Sequence, residues 1–373
     1  MAQRTVSRRA MLSAAMGAAI LARGDRGLFR SAQSNRLIVD GLDTSVVNDG
    51  FLDLVRKGGA HCVHKTLYRE DSFTALRDFV AQRSDRATIA TTVREIREAR
   101  RSGRVAFVLG VQAAGGAYGN GIDVAMDGAP LGSLAAIGPA LDRYYELGLR
   151  IQGLCYNGYN VFGSGCLDHT VPLTRAGRRL VEEINRRRIV LDVGGHTGER
   201  TSLDALELES GVPVVVSHTN FAALNPNMRC ISDRLAERVA ATGGVVGMTA
   251  ISDFVNRNPA AARRDGPVSP VATLDQLLDH FDHGKRLLGA EHLGLGPDFL
   301  WGQQPVAVDP TDAATFTPES LSAGPVRTVA GFEDISELPA LVAGLRRRGW
   351  SESELDQVLG GSWLRVFQSV WGG

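Results

Sequence analysis

Residues 189–218 read IVLDVGGHTGERTSLDALELESGVPVVVSH. Two short runs rich in aliphatic residues, Ile189–Val193 and Val212–His218, are separated here by a longer segment. Apolar runs that lack polar alternation are typical of parallel strands buried on both faces. The stretch therefore predicts two consecutive parallel strands joined by a crossover segment, with one histidine, His196, just after the first strand and another, His218, at the end of the second.

The same pattern recurs along the chain, where eight such runs alternate with longer segments. The other six runs are Leu37–Asp40, His61–Thr66, Val105–Gln112, Ile151–Tyr156, Val245–Thr249 and Leu293–Asp298. The segments between runs carry apolar residues at the three- and four-residue spacing of amphipathic helices; they include Thr91–Arg101, Leu134–Leu147, Thr174–Arg187, Asp233–Ala241 and Leu274–Leu288. Eight β/α units predict that residues 35–373 form a single α/β domain, a closed (β/α)₈ TIM barrel with insertions.

An open, doubly wound parallel sheet is the alternative fold, but its usual fingerprints are missing. The glycine-rich residues 115–121, GGAYGNG, do not make G-x-G-x-x-G, and the chain has no G-K-[ST] phosphate loop. The nucleophile elbow G-x-S-x-G of the α/β-hydrolases is also absent from the sequence. These absences favour the barrel.

Composition excludes several functional classes. The 373 residues include 41 Lys and Arg against 41 Asp and Glu, 44% hydrophobic residues and 6% aromatic residues. Enough apolar surface is available for a large core, which argues against a disordered chain. Balanced charge and sparse aromatic residues argue against a nucleic-acid partner.

The amino terminus differs from the rest of the chain, because residues 1–24 contain four arginines and no acid. The pair Arg8 and Arg9 precedes a weakly apolar run, Ala10–Ala22, which is typical of a twin-arginine export signal. That run is too short to span a bilayer, since a helix needs about 20 residues to do so. We expect residues 1–24 to be a signal segment and the processed protein to be exported to the periplasm without membrane insertion.

The four cysteines, Cys62, Cys155, Cys166 and Cys230, are too few and too scattered for a disulfide scaffold, and none forms C-x-x-C. We interpret them as buried free thiols, with a Cys155–Cys166 pair as the alternative in an oxidising compartment.

Polar residues at the predicted strand ends point to a metal site. Catalytic groups of a (β/α)₈ barrel lie at the carboxyl ends of its strands, and the polar residues at these ends include Gln112, His196, His218 and Asp298. Imidazole and carboxylate together are the ligands that zinc accepts. The other six histidines lie within predicted strands, helices or loops and are interpreted as structural.

Six stretches of the sequence carry a family resemblance. They are 154–166 (LCYNGYNVFGSGC), 173–185 (LTRAGRRLVEEIN), 191–201 (LDVGGHTGERT), 215–220 (VVSHTN), 295–299 (LGPDF) and 359–367 (LGGSWLRVF). In order, these resemble the L-T-Y-N…N…G-x-G-C, L-T-x-x-G…x-E-M-N, D-x-S-H…x-R-T, S-H-S-N, G-x-G-x-D-F and L-G-G-N-W-L-R-V-F segments of the membrane dipeptidase (renal dipeptidase) family. The resemblance runs from about residue 36 to the carboxyl terminus.

The resemblance implies a zinc-dependent barrel hydrolase of the amidohydrolase type that cleaves the amide bond of a dipeptide. His196 and His218 match the histidine ligands of one zinc ion, and Asp298 matches an aspartate that is both metal ligand and proton carrier. Arg229 matches the arginine that grips the substrate carboxylate, a role suited to the paired donors of guanidinium. Tyr156 stands where a histidine often follows strand four and can still donate a hydrogen bond to substrate or oxyanion. Family members tend to dimerise, so a homodimer is one expected assembly.

Three positions depart from the family pattern. Leu42 and Thr44 replace the histidine and aspartate of the first strand's H-x-D, and Gln112 replaces the glutamate that bridges two metal ions. Asp43 could substitute only if the backbone shifts by one residue. With these ligands lost, we expect one zinc ion rather than two, held by His196 and His218 with Asp298 or Gln112.

Two other functional classes remain open at this point. One is a different metal-dependent reaction on the same barrel, acting on a small cyclic amide, lactone or carboxylate. The other is a barrel that has lost catalysis and only binds an exported small ligand.

Overall fold

The computed structural model describes residues 36–115, 133–208, 211–256, 271–303 and 326–372, and its main compact unit is Leu37–Gly373. The predicted signal segment, residues 1–24, lies outside the described residues. Within the described part of the chain, no helix combines the length and apolar character needed to cross a membrane.

In the described parts of the chain, nine parallel strands form one sheet. They are β1 (Val39–Asp43), β2 (Cys62–Thr66), β3 (Ala87–Ile89), β4 (Val105–Val111), β5 (Leu149–Gly153), β6 (Val190–Asp192), β7 (Val215–Thr219), β8 (Val245–Met248) and β9 (Leu293–Leu295).

Eight of these strands close into a barrel. The sheet runs β2-β1-β9-β8-β7-β6-β5-β4-β3, and an additional pairing of β2 with β4 completes the ring. Each predicted apolar run overlaps one strand of this ring, so the predicted (β/α)₈ barrel is confirmed. Strand β3 was not predicted; it pairs only with the first residues of β4, starting at Ala87 opposite Val105.

Twelve α-helices are found among the described residues. They are α1 (Asp49–Gly58), α2 (Glu70–Ala81), α3 (Val93–Arg101), α4 (Ile137–Glu146), α5 (Arg175–Arg186), α6 (Glu199–Leu206), α7 (Asp233–Ala241), α8 (Ser252–Val255), α9 (Leu274–Leu288), α10 (Leu338–Arg347), α11 (Glu352–Asp356) and α12 (Ser362–Trp371).

Local capping explains why several predicted helices begin where they do. Thr92 accepts a hydrogen bond from the backbone N–H of Glu95, whose side chain bonds back to the backbone of Thr92. Thr273 and Gln276 make the same reciprocal arrangement at the start of α9. Such capping boxes satisfy backbone N–H groups that have no partner inside the helix. The bounds of α7 and α9 match the predicted segments residue for residue.

The carboxyl-terminal helix α12 packs against its own barrel. Trp363 is fully buried in a cluster with apolar residues of several barrel strands, and its Nε1–H donates to the carbonyl oxygen of Leu295 at 2.9 Å. A Cβ on Gly41 would lie 2.3 Å from the indole, so only glycine allows this approach. The apolar residues of α12 are therefore used within this chain, against its own barrel. Dimerisation stays a prediction.

Candidate active site

The structure places all the predicted site residues near the carboxyl ends of barrel strands. His218 lies within β7, and the others follow strands: Gln112 after β4, Tyr156 after β5, His196 after β6, Arg229 in the connection after β7, and Asp298 after β9. Carboxyl ends of parallel strands share one face of the barrel, which is where its active sites are found.

The ring of His196 is held on three sides. Its Nδ1 lies 2.6 Å from the side-chain oxygen of Asn157, and its Nε2 lies 3.3 Å from Nη2 of Arg229. Tyr156 stacks on the imidazole with ring centroids 3.8 Å apart and planes 21° from parallel. An amide oxygen can only accept and guanidinium can only donate, so Nδ1 carries the proton and Nε2 presents its lone pair.

The glycine pair before His196, Gly194 and Gly195, makes this packing feasible. Gly195 has φ +79°, in the left-handed region that favours glycine. A Cβ there would lie 2.4 Å from the carbonyl oxygen of His218 and 3.0 Å from Nη1 of Arg229. The Gly194-Gly195 pair therefore lets the loop after β6 pass close to β7.

His218 is oriented by a chain of two polar side chains. Its Nδ1 lies 2.7 Å from Oγ of Ser217, and this serine also hydrogen-bonds the Asp192 carboxylate. An ionised carboxylate only accepts, so the hydroxyl donates to Asp192 and accepts from Nδ1–H of His218. Nε2 of His218 is buried and has no hydrogen-bond partner within the part of the chain that the structure describes.

The two imidazoles are neighbours, with ring centroids 5.0 Å apart. Burial, and then the positive charge of Arg229, lower the pKa of both histidines well below the ordinary value. Both rings are therefore neutral at pH 7, the form in which histidine binds metals. Their second nitrogens are fixed by hydrogen bonds, as is usual for histidines that bind metals.

Arg229 lies beside these rings and is 2% exposed. Its backbone is held by the side chains of Asn227 and Thr219, at 2.8 and 2.9 Å, and its guanidinium stacks on the Phe254 ring at 4.8 Å. One guanidinium nitrogen, Nη1, is buried and has no hydrogen-bond partner among the described residues. A buried cation with an unused donor suits a negatively charged ligand group.

At the three positions that depart from the family pattern, the side chains are poor metal ligands or are engaged elsewhere. Leu42 is fully buried and offers no donor atom. The hydroxyl of Thr44 is used locally, donating to the carbonyl oxygen of Phe299 at 2.7 Å. Gln112 is buried just after β4, and its neutral amide offers a metal only a weak carbonyl ligand.

The backbone shift that Asp43 requires is present, but its carboxylate is engaged elsewhere. From Asp40 to Asp43 strand β1 advances three residues, while its partner β2 advances two, from Val63 to Lys65. Such a bulge re-aims the side chains that follow it. Asp43 then accepts hydrogen bonds from the backbone N–H and the hydroxyl of Ser45, at 2.8 and 3.1 Å, and lies 3.7 Å from Nζ of Lys65.

Asp298 stands next to this end of β1. Its backbone N–H donates to the carbonyl oxygen of Leu42 at 3.0 Å, and the following residue, Phe299, bridges to Asp43. Asp298 has φ +60°, a strained conformation for any residue with a side chain, and such strain is concentrated at functional sites.

The residues present fit one metal ion better than two. Two neutral imidazoles, with Nε2 of His218 lacking a partner, are suitable donors for one zinc ion, although Arg229 would have to give up its contact with His196. No group of three His, Cys, Asp or Glu side chains in the described ranges is arranged to hold a metal. The imidazole pair is thus the centre of the candidate site. Asp298 is hydrogen-bonded through its backbone to Leu42 in β1.

Some functional side chains were not singled out by the sequence reasoning. Asn157, Ser217 and Asp192 orient the two histidines, and Lys65 neighbours Asp43. In the sequence, Asp192 and Lys65 are marked only by being charged residues within apolar strands. Such residues indicate a buried charge with a partner, because buried strands rarely carry charge without one. The four cysteines are buried and form no disulfide among the described residues, which agrees with the interpretation as buried thiols.

Asp192 makes the stability of the folded protein depend measurably on pH. Burial raises its pKa from an ordinary value near 4 to about 6, against the hydrogen bonds from Ser217 and Gly194. Between these values the folded protein binds more protons than the unfolded chain, so this residue's contribution to stability falls as pH rises from 4 to 6. We expect the Asp192→Asn variant to lack this fall, so that its free energy of unfolding rises relative to wild type by up to roughly 3 kcal/mol. Urea unfolding at pH 4.5 and 7 tests this, and equal pH slopes for the two proteins would refute it.

Comparison with known proteins supports the family resemblance. The chain matches the profile of the family described as membrane dipeptidase (peptidase family M19) over residues 57–324 and 320–371. It is 28% identical over 304 residues to an uncharacterised protein from the pqqA 5′ region of Klebsiella pneumoniae, covering 79% of this chain and 93% of that protein. It is 29% identical over 291 residues to dipeptidase verJ of Clonostachys rogersoniana, covering 77% of this chain and 61% of that dipeptidase, less than two thirds of its length.

Solved structures share the barrel. An amidohydrolase from Pseudomonas aeruginosa superposes with a TM-score of 0.76 at 24% identity, covering 92% of this chain and 99% of that one. A metallopeptidase from Rhodobacter sphaeroides, bound to a phosphinate mimic of the dipeptide L-Ala-D-Ala, has a TM-score of 0.67 at 22% identity, covering 90% and 99%. At these identities the likeness establishes the common fold.

Proposed function

The chain belongs to the membrane dipeptidase family of metal-dependent hydrolases, and from that premise we propose that it cleaves the amide bond of a dipeptide or similar small amide with a single zinc ion. The observation that carries the proposal is the pair of neutral, buried imidazoles of His196 and His218, whose Nδ1 atoms are committed to Asn157 and Ser217. The two Nε2 atoms would then be the ligands, once Arg229 gives up its contact with Nε2 of His196. When bound there, zinc would supply a water of lowered pKa and polarise the amide carbonyl.

The protein's own groups divide the remaining work. Asp298, at the end of β9, takes the proton from the attacking water and returns it to the leaving amine. Tyr156, whose ring stacks on His196, is the proposed hydrogen-bond donor to the oxygen on which negative charge develops. Removing water from a buried site strengthens both interactions.

Arg229 sets the class of substrate. Its guanidinium is buried next to His196, and its Nη1 has no hydrogen-bond partner among the described residues. A free carboxylate accepts two parallel hydrogen bonds from such a group, which orients the substrate as well as binding it. The proposed substrates are therefore small amides with a free carboxylate beside the scissile bond, as in the carboxyl-terminal residue of a dipeptide.

The proposal is tested by a dipeptide panel with L- or D-residues at the carboxyl-terminal position, assayed for release of free amino acids with zinc, after chelation and after zinc is restored. We expect hydrolysis that stops on chelation and returns with zinc, and much slower hydrolysis of the same peptides with an amidated carboxyl terminus. Cyclic amides and lactones serve as comparison substrates. Hydrolysis of these alone would contradict the proposal in favour of another metal-dependent reaction, and binding of peptides without turnover would indicate a barrel that has lost catalysis.

A further inference from the structure

Lys65 is an unusual residue for a buried barrel strand. It lies in β2 and is 6% exposed, although lysine is rarely buried without a partner. Its Nζ donates to the carbonyl oxygens of Ser45 and Asp43, at 2.5 and 3.3 Å, and lies 3.7 Å from the Asp43 carboxylate. The ammonium is therefore held by oxygen atoms at the carboxyl end of β1.

Three carboxyl groups act electrostatically on this ammonium: those of the buried Asp40 and Asp43 and that of the half-buried Asp298. Burial lowers the pKa of Lys65, while Asp43, Asp40 and Asp298 act in the opposite direction. Burial, and then the negative charge of Asp43, raise the pKa of Asp40, one of whose oxygens has no hydrogen-bond partner among the described residues. Because the negative potential at Lys65 comes from more than one carboxyl group, the positive charge of this residue offsets repulsion between them.

This part of the barrel is where the family pattern has lost its ligands. Leu42 and Thr44 are on β1 or directly after it, and Asp298 follows the adjacent strand β9. The bulge between Asp40 and Asp43 brings Asp43 opposite Lys65 in β2. An ammonium coordinated by carbonyl and carboxylate oxygens thus stands beside the strand ends whose metal ligands are missing.

We propose that Lys65 supplies, as a built-in cation, the positive charge that a second divalent ion would otherwise provide between β1 and β9. The inference rests on the proposed single-zinc function and explains how the chain dispenses with the second ion. Lys65 fixes the Asp43–Ser45 turn and holds positive charge beside the proton-carrying Asp298. It is a positioning residue, because the contacts the structure shows for Lys65 are with neighbouring protein groups.

Replacement of Lys65 by methionine tests the proposal, because methionine has a similar length and no charge. With chelator present, we expect the melting temperature of Lys65→Met to fall by at least about 5 °C relative to wild type, on the scale of a lost buried charge partner. Manganese, which prefers oxygen ligands, should restore most of this loss and leave wild type unchanged. Equilibrium dialysis with Mn²⁺ should show one more bound ion per chain in Lys65→Met than in wild type.

Two control variants test whether the effect comes from the charge of Lys65 and from its position in the barrel. Lys65→Arg retains the positive charge and should bind no additional manganese. Lys285→Met removes the lysine that pairs with Glu354 on the outer surface and should behave as wild type. If Lys65→Met does not fold even with manganese, the Lys65→Met/Asp43→Asn double variant, which removes one charge of each sign, should be recovered.

Equal manganese binding by wild type and Lys65→Met, or failure to recover the double variant, would overturn the proposal. None of these readouts uses peptide hydrolysis. Failure of the proposed function would appear instead as a wild-type protein without zinc at the histidine pair or without dipeptidase activity, so the two failures are distinguishable.

Discussion

Replacing His218 by alanine is expected to lower kcat/KM for dipeptide hydrolysis by roughly 10³-fold or more, at least the loss seen when a charge-stabilising group is removed from an active site. The imidazole of His218 lies next to that of His196, and its Nε2 has no hydrogen-bond partner among the described residues. A single remaining imidazole, His196, would hold zinc weakly because it also accepts from Arg229. Steady-state kinetics with a dipeptide from the panel, at fixed free zinc, measures the loss.

The matched control is another partly buried histidine outside the site. His283 pairs with Asp233 at 2.9 Å, between α9 and the start of α7. His283→Gln should retain wild-type kcat/KM, while circular dichroism confirms that both variants are folded. Activity of His218→Ala within about tenfold of wild type would contradict the assignment of this histidine to the metal.

The second large effect is expected at Arg229. Replacement by alanine should raise KM for dipeptides with a free carboxylate by about 10²-fold, close to the 3 kcal/mol expected from a buried charge-assisted hydrogen-bond pair. The cause is specific, since the buried Nη1 of Arg229 has no hydrogen-bond partner among the described residues and is a donor for the substrate carboxylate. Arg229→Lys should recover only part of the loss, because an ammonium lacks the paired geometry of guanidinium.

Substrate chemistry provides the control for this prediction. A dipeptide amide has no carboxylate to lose, so its slow hydrolysis should change little between wild type and Arg229→Ala. The exposed Arg234 on α7 is the control position, and Arg234→Ala should leave KM unchanged. An equal loss for free and amidated peptides would mean that Arg229 acts through the packing of His196 rather than on the substrate.

The barrel could be predicted from the sequence because it depends on local patterns. Each apolar run is long enough to form one strand of the barrel. Capping residues such as Thr92 and Thr273 mark where helices begin. Strand β3 escaped prediction because three residues, Ala87–Ile89, are too short to show a pattern.

The candidate site could be predicted only in part, because its remaining features are non-local. His196 and His218 were visible as polar residues at strand ends, and the structure brings their rings together. The bulge that pairs Asp43 with Lys65 depends on the register between two strands, which a single sequence does not encode locally. The hydrogen bond from Asn157 to His196 likewise joins residues 39 apart in the chain.

The most direct test of a single zinc ion between His196 and His218 is the zinc content of the purified protein, compared with that of its His218→Ala variant. The structure shows one imidazole pair and an ammonium, Lys65, beside the strand ends whose ligands are missing. We predict about one equivalent of zinc per chain in wild type and nearly none in the variant, by mass spectrometry after dialysis. Two equivalents in wild type, or one equivalent that survives the loss of His218, would contradict this account.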